Sequence, residues 1–290
     1  MYMIEVILMG IFVGGVYGIV GLGLSLIFTG IRYTMNVSHG QMVVLGCYLS
    51  FSTVTLLRLD PLLSALVVLP VVFCIGLALQ YSLINRVMLR EPAGRIPLIL
   101  GIGLIVENFL LILYGPDAKS LTPYAPSYAG RSITLFGISL PFIYLIDFIA
   151  AMAAMIFVYI FLKYTFIGRA IRATSEDPIT VNLFGVNDKR MYAITFGIGA
   201  VLAALGGIFV GLTYAFEPSY GHIYLGMAFS VIILGGIGSI RGALVGGVIV
   251  GLVQALASYY IGIAYAFLIQ NLITLIVLYL KPEGIFGYEV

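Results

Sequence analysis

The chain has 290 residues and a formal net charge of +2, with 62% hydrophobic and 9% charged side chains, and its mean hydropathy is +1.15. A soluble domain carries about 25% charged residues, so the composition excludes an ordinary water-soluble globule, and the near-neutral charge excludes a nucleic-acid partner. Apolar runs of about 18 residues or more imply membrane spans, and they lack the two-residue alternation of barrel strands. The expected fold is therefore an all-α integral membrane protein. It is a polytopic bundle of about eight or nine helices, some short or broken, forming a single domain over residues 1–290.

The first apolar segment, Ile4–Thr29, has no basic residue before it and no short cleavable core, and it reads as a retained span. The second, Met35–Leu57, opens on Asn36, Ser38, His39 and Gln41. These side chains can satisfy backbone groups at an irregular helix start, or they can line a translocation path. His39 invites a metal or proton-relay reading. The chain's one other histidine, His222, is expected on the opposite side, which argues against a two-histidine site. The third and fourth segments are Leu62–Asn85 and Ile96–Tyr114. Within the fourth, Glu107 stands beside Asn108; a charge at a span centre costs about 2.5–3.5 kcal/mol on insertion scales, so it should face protein or water. Either it lines a path or it is a protonated carboxyl bonded to a neighbouring helix. Cys47 and Cys74 sit inside apolar runs and read as buried side chains with no disulfide.

The connection Gly115–Ser139 holds Pro116, Asp117, Lys119, Pro123, Pro126 and Gly130 and reads as an ordered loop. In the fifth segment, Leu140–Leu162, Asp147 lies early enough to reach the membrane interface. A polar insert follows, about 163–190, containing GRAIRATSEDPITVNLFGVN (168–187). Asp177 can cap a short helix that begins at Pro178, and Gly185 suits its left-handed stop. Ile179, Leu183 and Val186 recur at helical spacing, and a turn or two carrying Arg169 and Arg172 comes before. Such an element either lies on the membrane surface or presents an apolar stripe and arginines to a partner.

The sixth to ninth segments are Met191–Thr213, Leu225–Ser239, Ala243–Ile261 and Ala264–Leu280, the seventh being short for a crossing. Glu217-Pro218 and Tyr220-Gly221-His222 read as a turn on the side opposite the polar insert. Gln254, Gln270 and Asn271 are candidates for interhelical hydrogen bonds. Small-x3-small pairs at Gly10/Gly14, Gly14/Gly18, Gly207/Gly211, Gly242/Gly246 and Gly247/Gly251 predict close helix approach. The Gly235-Gly236-Ile237-Gly238-Ser239 cluster lacks the lysine and preceding strand of a phosphate loop. With the N-terminus outside, Arg32, Arg86, Arg90, Arg95, Lys163, Arg169, Arg172, Lys189, Arg190, Arg241 and Lys281 all fall inside, leaving Arg58, Lys119 and Arg131 outside. That asymmetry predicts an outer N-terminus, a cytoplasmic C-terminus and an odd number of crossings.

Residues 168–211, GRAIRATSEDPITVNLFGVNDKRMYAITFGIGAVLAALGGIFVG, closely resemble the cytoplasmic loop and following helix of branched-chain amino acid permeases of the ATP-binding-cassette class. MNVSHGQMVVLGCYLS (35–50), ILGGIGSIRGALVGGVIVGLVQAL (233–256) and YLKPEGIFG (279–287) resemble further segments of that family in the same order, and the Asn36–Gly40 pattern is similar to its LivH-like members. The resemblance implies a permease subunit of the inner membrane that imports branched-chain or similar neutral amino acids. It implies two ATPase subunits, a second homologous LivM-like permease and an extracytoplasmic binding protein as partners. It also implies no enzyme activity or cofactor on this chain, ATP being used by the ATPase partners. The stretch holding Arg169, Arg172, Glu176, Asp177, Ile179, Leu183 and Gly185 would be the coupling element. The Glu-Ala-Ala-x3-Gly loop of many importers is absent; Ala173-Thr-Ser-Glu176-Asp177-Pro178 stands in its place. Import of urea or short amides, and ion-coupled transport through Glu107 or Asp147, are the alternative readings.

Overall fold

The computed structural model describes residues 2–31, 34–90, 94–135 and 138–287; Arg32, counted above among the inner basic residues, lies outside them. Among the described residues, eight helices are long and apolar enough to cross a membrane, and a ninth, shorter apolar stretch covers Tyr265–Leu280. The spans are α1 (Tyr2–Gly30), α2 (His39–Leu57), α3 (Pro61–Leu79), α5 (Arg95–Tyr114), α6 (Phe142–Tyr164), α9 (Asp188–Thr213), α10 (Gly221–Gly235), α11 (Ile240–Tyr260) and α12 (Ile263–Leu280). A π-turn at Gln80–Ile84 joins α3 to the short α4 (Asn85–Arg90), so the third span runs on past its apolar run. The second span starts at His39 and not at Met35, because residues 34–38 leave the helix in extended and turn conformations.

Two helices form the centre. α1 packs on α11, α9, α6 and α10, while α9 also holds α2 and α3. The α1–α11 contact follows from the glycines. A methyl group on Gly14 would stand 2.6 Å from the Val248 Cα and 2.7 Å from the Gly247 carbonyl oxygen, so the two backbones touch. Gly247 meets Gly18 in the same way, at 2.6 Å from its Cα. The outer helices bury single stripes. α3 buries Pro61, Ser64, Val68, Val72 and Gly76 at helical spacing and leaves Leu63, Leu66 and Val71 exposed. Asp60 caps it, accepting a 2.9 Å bond from the Leu62 amide.

The 115–141 connection contains structure that composition did not predict: a hairpin of β1 (Ser132–Leu135) and β2 (Ile138–Pro141), paired antiparallel. It is tied down by the Tyr128 hydroxyl donating to Asp60 at 2.9 Å and by fully buried Leu121, whose amide donates to the Gly211 carbonyl. Burial, then the Asp60 carboxylate beside it, raises the Tyr128 hydroxyl above its ordinary pKa.

Three expectations are corrected. Asp147 does not reach an interface: it is 1% exposed and accepts a 2.9 Å bond from Thr213, since α6 turns it toward α9. Cys47 is buried, but Cys74 is exposed on the outward face of α3. Gln270 does bond across helices, to Ser230 at 3.1 Å, whereas Asn271 donates to the Phe267 carbonyl of its own helix.

Candidate translocation and coupling sites

The short non-helical segment before α2 is built by its own side chains. The Asn36 carboxamide oxygen accepts from the Ser38 hydroxyl at 2.8 Å and the Ser38 amide at 3.2 Å. That local turn aims the first residues of α2 into the bundle. The His39 Nε2 donates to the Val20 carbonyl at 2.9 Å, far from either end of α1. A carbonyl only accepts, so Nε2 carries a proton. Gly40 lies against the first turn of α10: a methyl group there would be 2.8 Å from the Leu225 amide nitrogen and would collide with the Gly221 carbonyl. The turn read at 217–222 is at the surface on one side only: Ser219 and His222 are exposed, while its other side faces the bundle. Its 3₁₀ segment, Pro218–Tyr220, leads into α10 inside the bundle, with Pro218 and Gly221 buried.

Two helices of opposite direction thus begin against one another between the ends of their neighbours. This is the geometry in which discontinuous membrane helices form solute sites in transporters. Gln41 extends the junction to α5, donating to Glu107 Oε2 at 3.5 Å, and Gly103 lets α5 close to within 3.3 Å of the Ser38 Cβ, measured from an added methyl. The structure therefore brings Asn36, Ser38, His39, Gln41 and Glu107 together. It does not bring Asn108, which is exposed and bonds to Leu104 of its own helix at 2.8 Å. The Asn36 Nδ2, His39 Nδ1 and Gln41 Oε1 are buried without a hydrogen-bond partner, a costly state at about 1–3 kcal/mol per group.

A tyrosine-lined cavity of about 630 Å³ lies beside this junction, between α1, α6, α10 and α11. Tyr17, Tyr144, Tyr214 and Tyr224 contribute to its wall. Sequence reasoning missed it. The available signal was twenty tyrosines without tryptophan, and nothing in their spacing groups these four.

The polar insert forms two helices. α7 (Phe166–Glu176) is capped by Thr165, which accepts from the Gly168 amide at 3.0 Å, and it buries Gly168, Ala170, Ile171 and Thr174. It is longer than the turn or two predicted. α8 (Pro178–Leu183) is capped by Asp177, whose Oδ1 accepts from the Ile179 and Thr180 amides at 3.0 and 3.2 Å. Gly185 ends it at φ +81°. Ile179 is 71% exposed, and Leu183 and Phe184 are each 82% exposed. Phe184 joins the stripe in place of Val186, which is half-buried with its amide bonded to the Val181 carbonyl. Arg169 and Glu176 are exposed, while Arg172 folds back toward the Lys163 carbonyl at 3.5 Å. The insert lies on the same face as the end of α1, where Gly30 approaches Ile171.

No solved structure matches the chain. A family model described as the permease component of branched-chain amino acid transport systems matches residues 6–280. The chain is 30% identical to the high-affinity branched-chain amino acid transport system permease protein BraD of Pseudomonas aeruginosa, over 96% of this chain and 94% of that one. It is 30% identical to the permease protein LivH of Escherichia coli K12, over 99% and 96%. It is 26% identical to a probable LivH of Methanocaldococcus jannaschii, over 93% and 87%. These likenesses span the interrupted α2 and α10 and the capped insert alike, and the chain belongs to the family of branched-chain amino acid transport permeases.

Proposed function

We propose that this chain is a transmembrane half of an ATP-driven importer that passes branched-chain or similar neutral amino acids into the cell. The observation that carries the coupling is α8: a six-residue helix, fixed at both ends, that holds Ile179, Leu183 and Phe184 out toward solvent. Exposed apolar side chains on a short rigid element are what a partner's groove buries as anchors. In this reading α8 seats in an ATPase subunit on the cytoplasmic side, Asp177 and Gly185 fix its shape, and Arg169 and Glu176 meet charged groups on the rim.

Closure of the ATPase pair would then push α7 and α8 against α9 and α1. α9 carries α2, and α1 carries α10, so the push reaches the junction at His39 and Gly221. The buried, unpartnered amide and imidazole atoms there are the groups a passing zwitterion would use. Asn108 stands on the outward face of α5 beside exposed Leu104, Ile105 and Ile112, next to half-buried Glu107. Polar groups among such residues are costly against lipid, and a second permease subunit over this face would enclose the path. An extracytoplasmic binding protein would deliver solute from the opposite face.

Proteoliposomes test the reading. Leucine uptake that needs ATP, ATPase subunits and binding protein supports it. Uptake by this chain alone down an ion gradient refutes it, and preference for urea or short amides refutes the assigned solute.

A further inference from the structure

A second cavity, about 960 Å³, lies between α1, α6, α7 and the start of α11. It is separate from the α2–α10 junction and lies behind the coupling insert, sharing Ile171, Arg172 and Ser175 of α7 with it. Its floor is apolar, with Leu26, Met155 and Leu244, while its mouth carries Lys163, Arg172 and Arg241. Among the described residues lining it there is no carboxylate. The volume is at the upper end of small-ligand cavities, about 300–1,000 Å³.

The cations are placed by the fold. Lys163 donates to the Tyr159 hydroxyl at 3.0 Å and lies 5.3 and 5.4 Å from the Tyr159 and Tyr164 ring centroids. Arg172, one elbow further on, donates to the Lys163 carbonyl. Tyr159 and Ile156 line the cavity and are also exposed, Ile156 at 53%, so it opens sideways through α6 to the surroundings of the bundle. An apolar floor reached from the membrane, with a cationic rim at the interface, has the chemistry of an amphiphile with an anionic head.

We propose that the α1–α6–α7 cavity binds an anionic phospholipid, its phosphate on Lys163, Arg172 and Arg241 and an acyl chain against Leu26, Met155 and Leu244. A guanidinium offers the phosphate a forked pair of donors, and basic pockets between membrane helices are known devices for holding acidic headgroups. The lipid would act as a wedge under α7, which joins the bundle to α8. The leaflet assigned, the cytoplasmic one, rests on the proposed function; binding itself does not.

The test uses the full chain purified from a bilayer that contains phosphatidylglycerol and phosphatidylcholine, with retained lipid counted by native mass spectrometry. The wild type is expected to retain phosphatidylglycerol selectively, and to show no protection by inorganic phosphate alone. Replacing Lys163, Arg172 and Arg241 by Ala should weaken retention by about fivefold per cation removed. The Lys163→Arg, Arg172→Lys, Arg241→Lys chain should keep it. If the alanine chain does not fold, Ile156→Trp, which narrows the side opening and leaves every charge in place, should lower retention instead. Equal retention of both lipids, unchanged retention in the alanine or Ile156→Trp chain, displacement by phosphate alone, or a second permease chain crosslinking to Ile156 would each overturn the proposal. Because retention is read without transport, it can fail while ATP-driven uptake stands, and the reverse.

Discussion

Gly40→Ala is the sharpest perturbation of the junction between α2 and α10. The added methyl would stand 2.7 Å from the Gly221 carbonyl carbon and 2.8 Å from the Leu225 amide nitrogen, and nearer still to the Gly221 oxygen. Carbon atoms pack at about 3.5–4.0 Å, so the two helix starts must separate by at least about 0.8 Å. Every atom in the way is backbone, so no side chain can rotate aside. Overpacking of this kind costs about 1–3 kcal/mol, about a 5- to 150-fold shift in an equilibrium. Gly101→Ala is the matched control, since nothing lies within 4 Å of its methyl group. Both variants would be assayed for thermal stability and for ATP-dependent leucine uptake with partner subunits present. The expected result is reduced stability and uptake for Gly40→Ala and wild-type behaviour for Gly101→Ala. If the two variants are indistinguishable, the helix starts do not meet as described and the junction has no part in transport.

Leu183→Asp should weaken ATPase docking by about 30-fold, the loss of one buried anchor of about 2 kcal/mol, and so separate ATP hydrolysis from uptake; co-purification with the ATPase at wild-type levels would contradict this. Asp177→Ala removes the cap on α8 at a cost of about 1 kcal/mol, and hydrogen exchange should accelerate at the Ile179 and Thr180 amides ahead of the rest of the insert. Glu107→Gln should retain ATP-driven uptake, because an amide still pairs with Gln41, whereas a loss that tracks the ion gradient would favour ion coupling. In the membrane, Cys74 on the lipid-facing side of α3 should react with a membrane-permeant maleimide only slowly and not with an impermeant one, and Cys47, which donates to the Gly207 carbonyl at 3.0 Å, should stay unlabelled until the chain is denatured.

The helical class, the approximate number of spans and the capped insert were legible because each depends on local chemistry. Apolar run length reports a span, Asp177-Pro178 reports a helix start, and Gly185 reports its stop. The grouping of Asn36, Ser38 and His39 was also visible, since adjacent polar residues at a span start need partners. What depends on remote segments was not. The meeting of Gly40 with Gly221 joins residues 181 positions apart, and no local pattern marks it. Asp147 was misplaced because only the packing of α6 on α9 brings Thr213 to it. Asn108 and Phe184 were misjudged for a related reason: which face of a helix is covered is settled by its neighbours. The hairpin after Gly130 was missed because its strands are four residues each, too short for alternation to stand out.

The glycine-lined contact between α1 and α11 also bears on how the chain is made. α1 leaves the ribosome well before α11, and the surface that completes it, around Gly247 and Gly251, is translated more than 200 residues later. Until then its notches at Gly10, Gly14 and Gly18 face lipid or a chaperone, and the bundle can close only once α11 has been made. Chains cut short before α11 should therefore insert and yet fail to consolidate, which makes them natural substrates for membrane proteases.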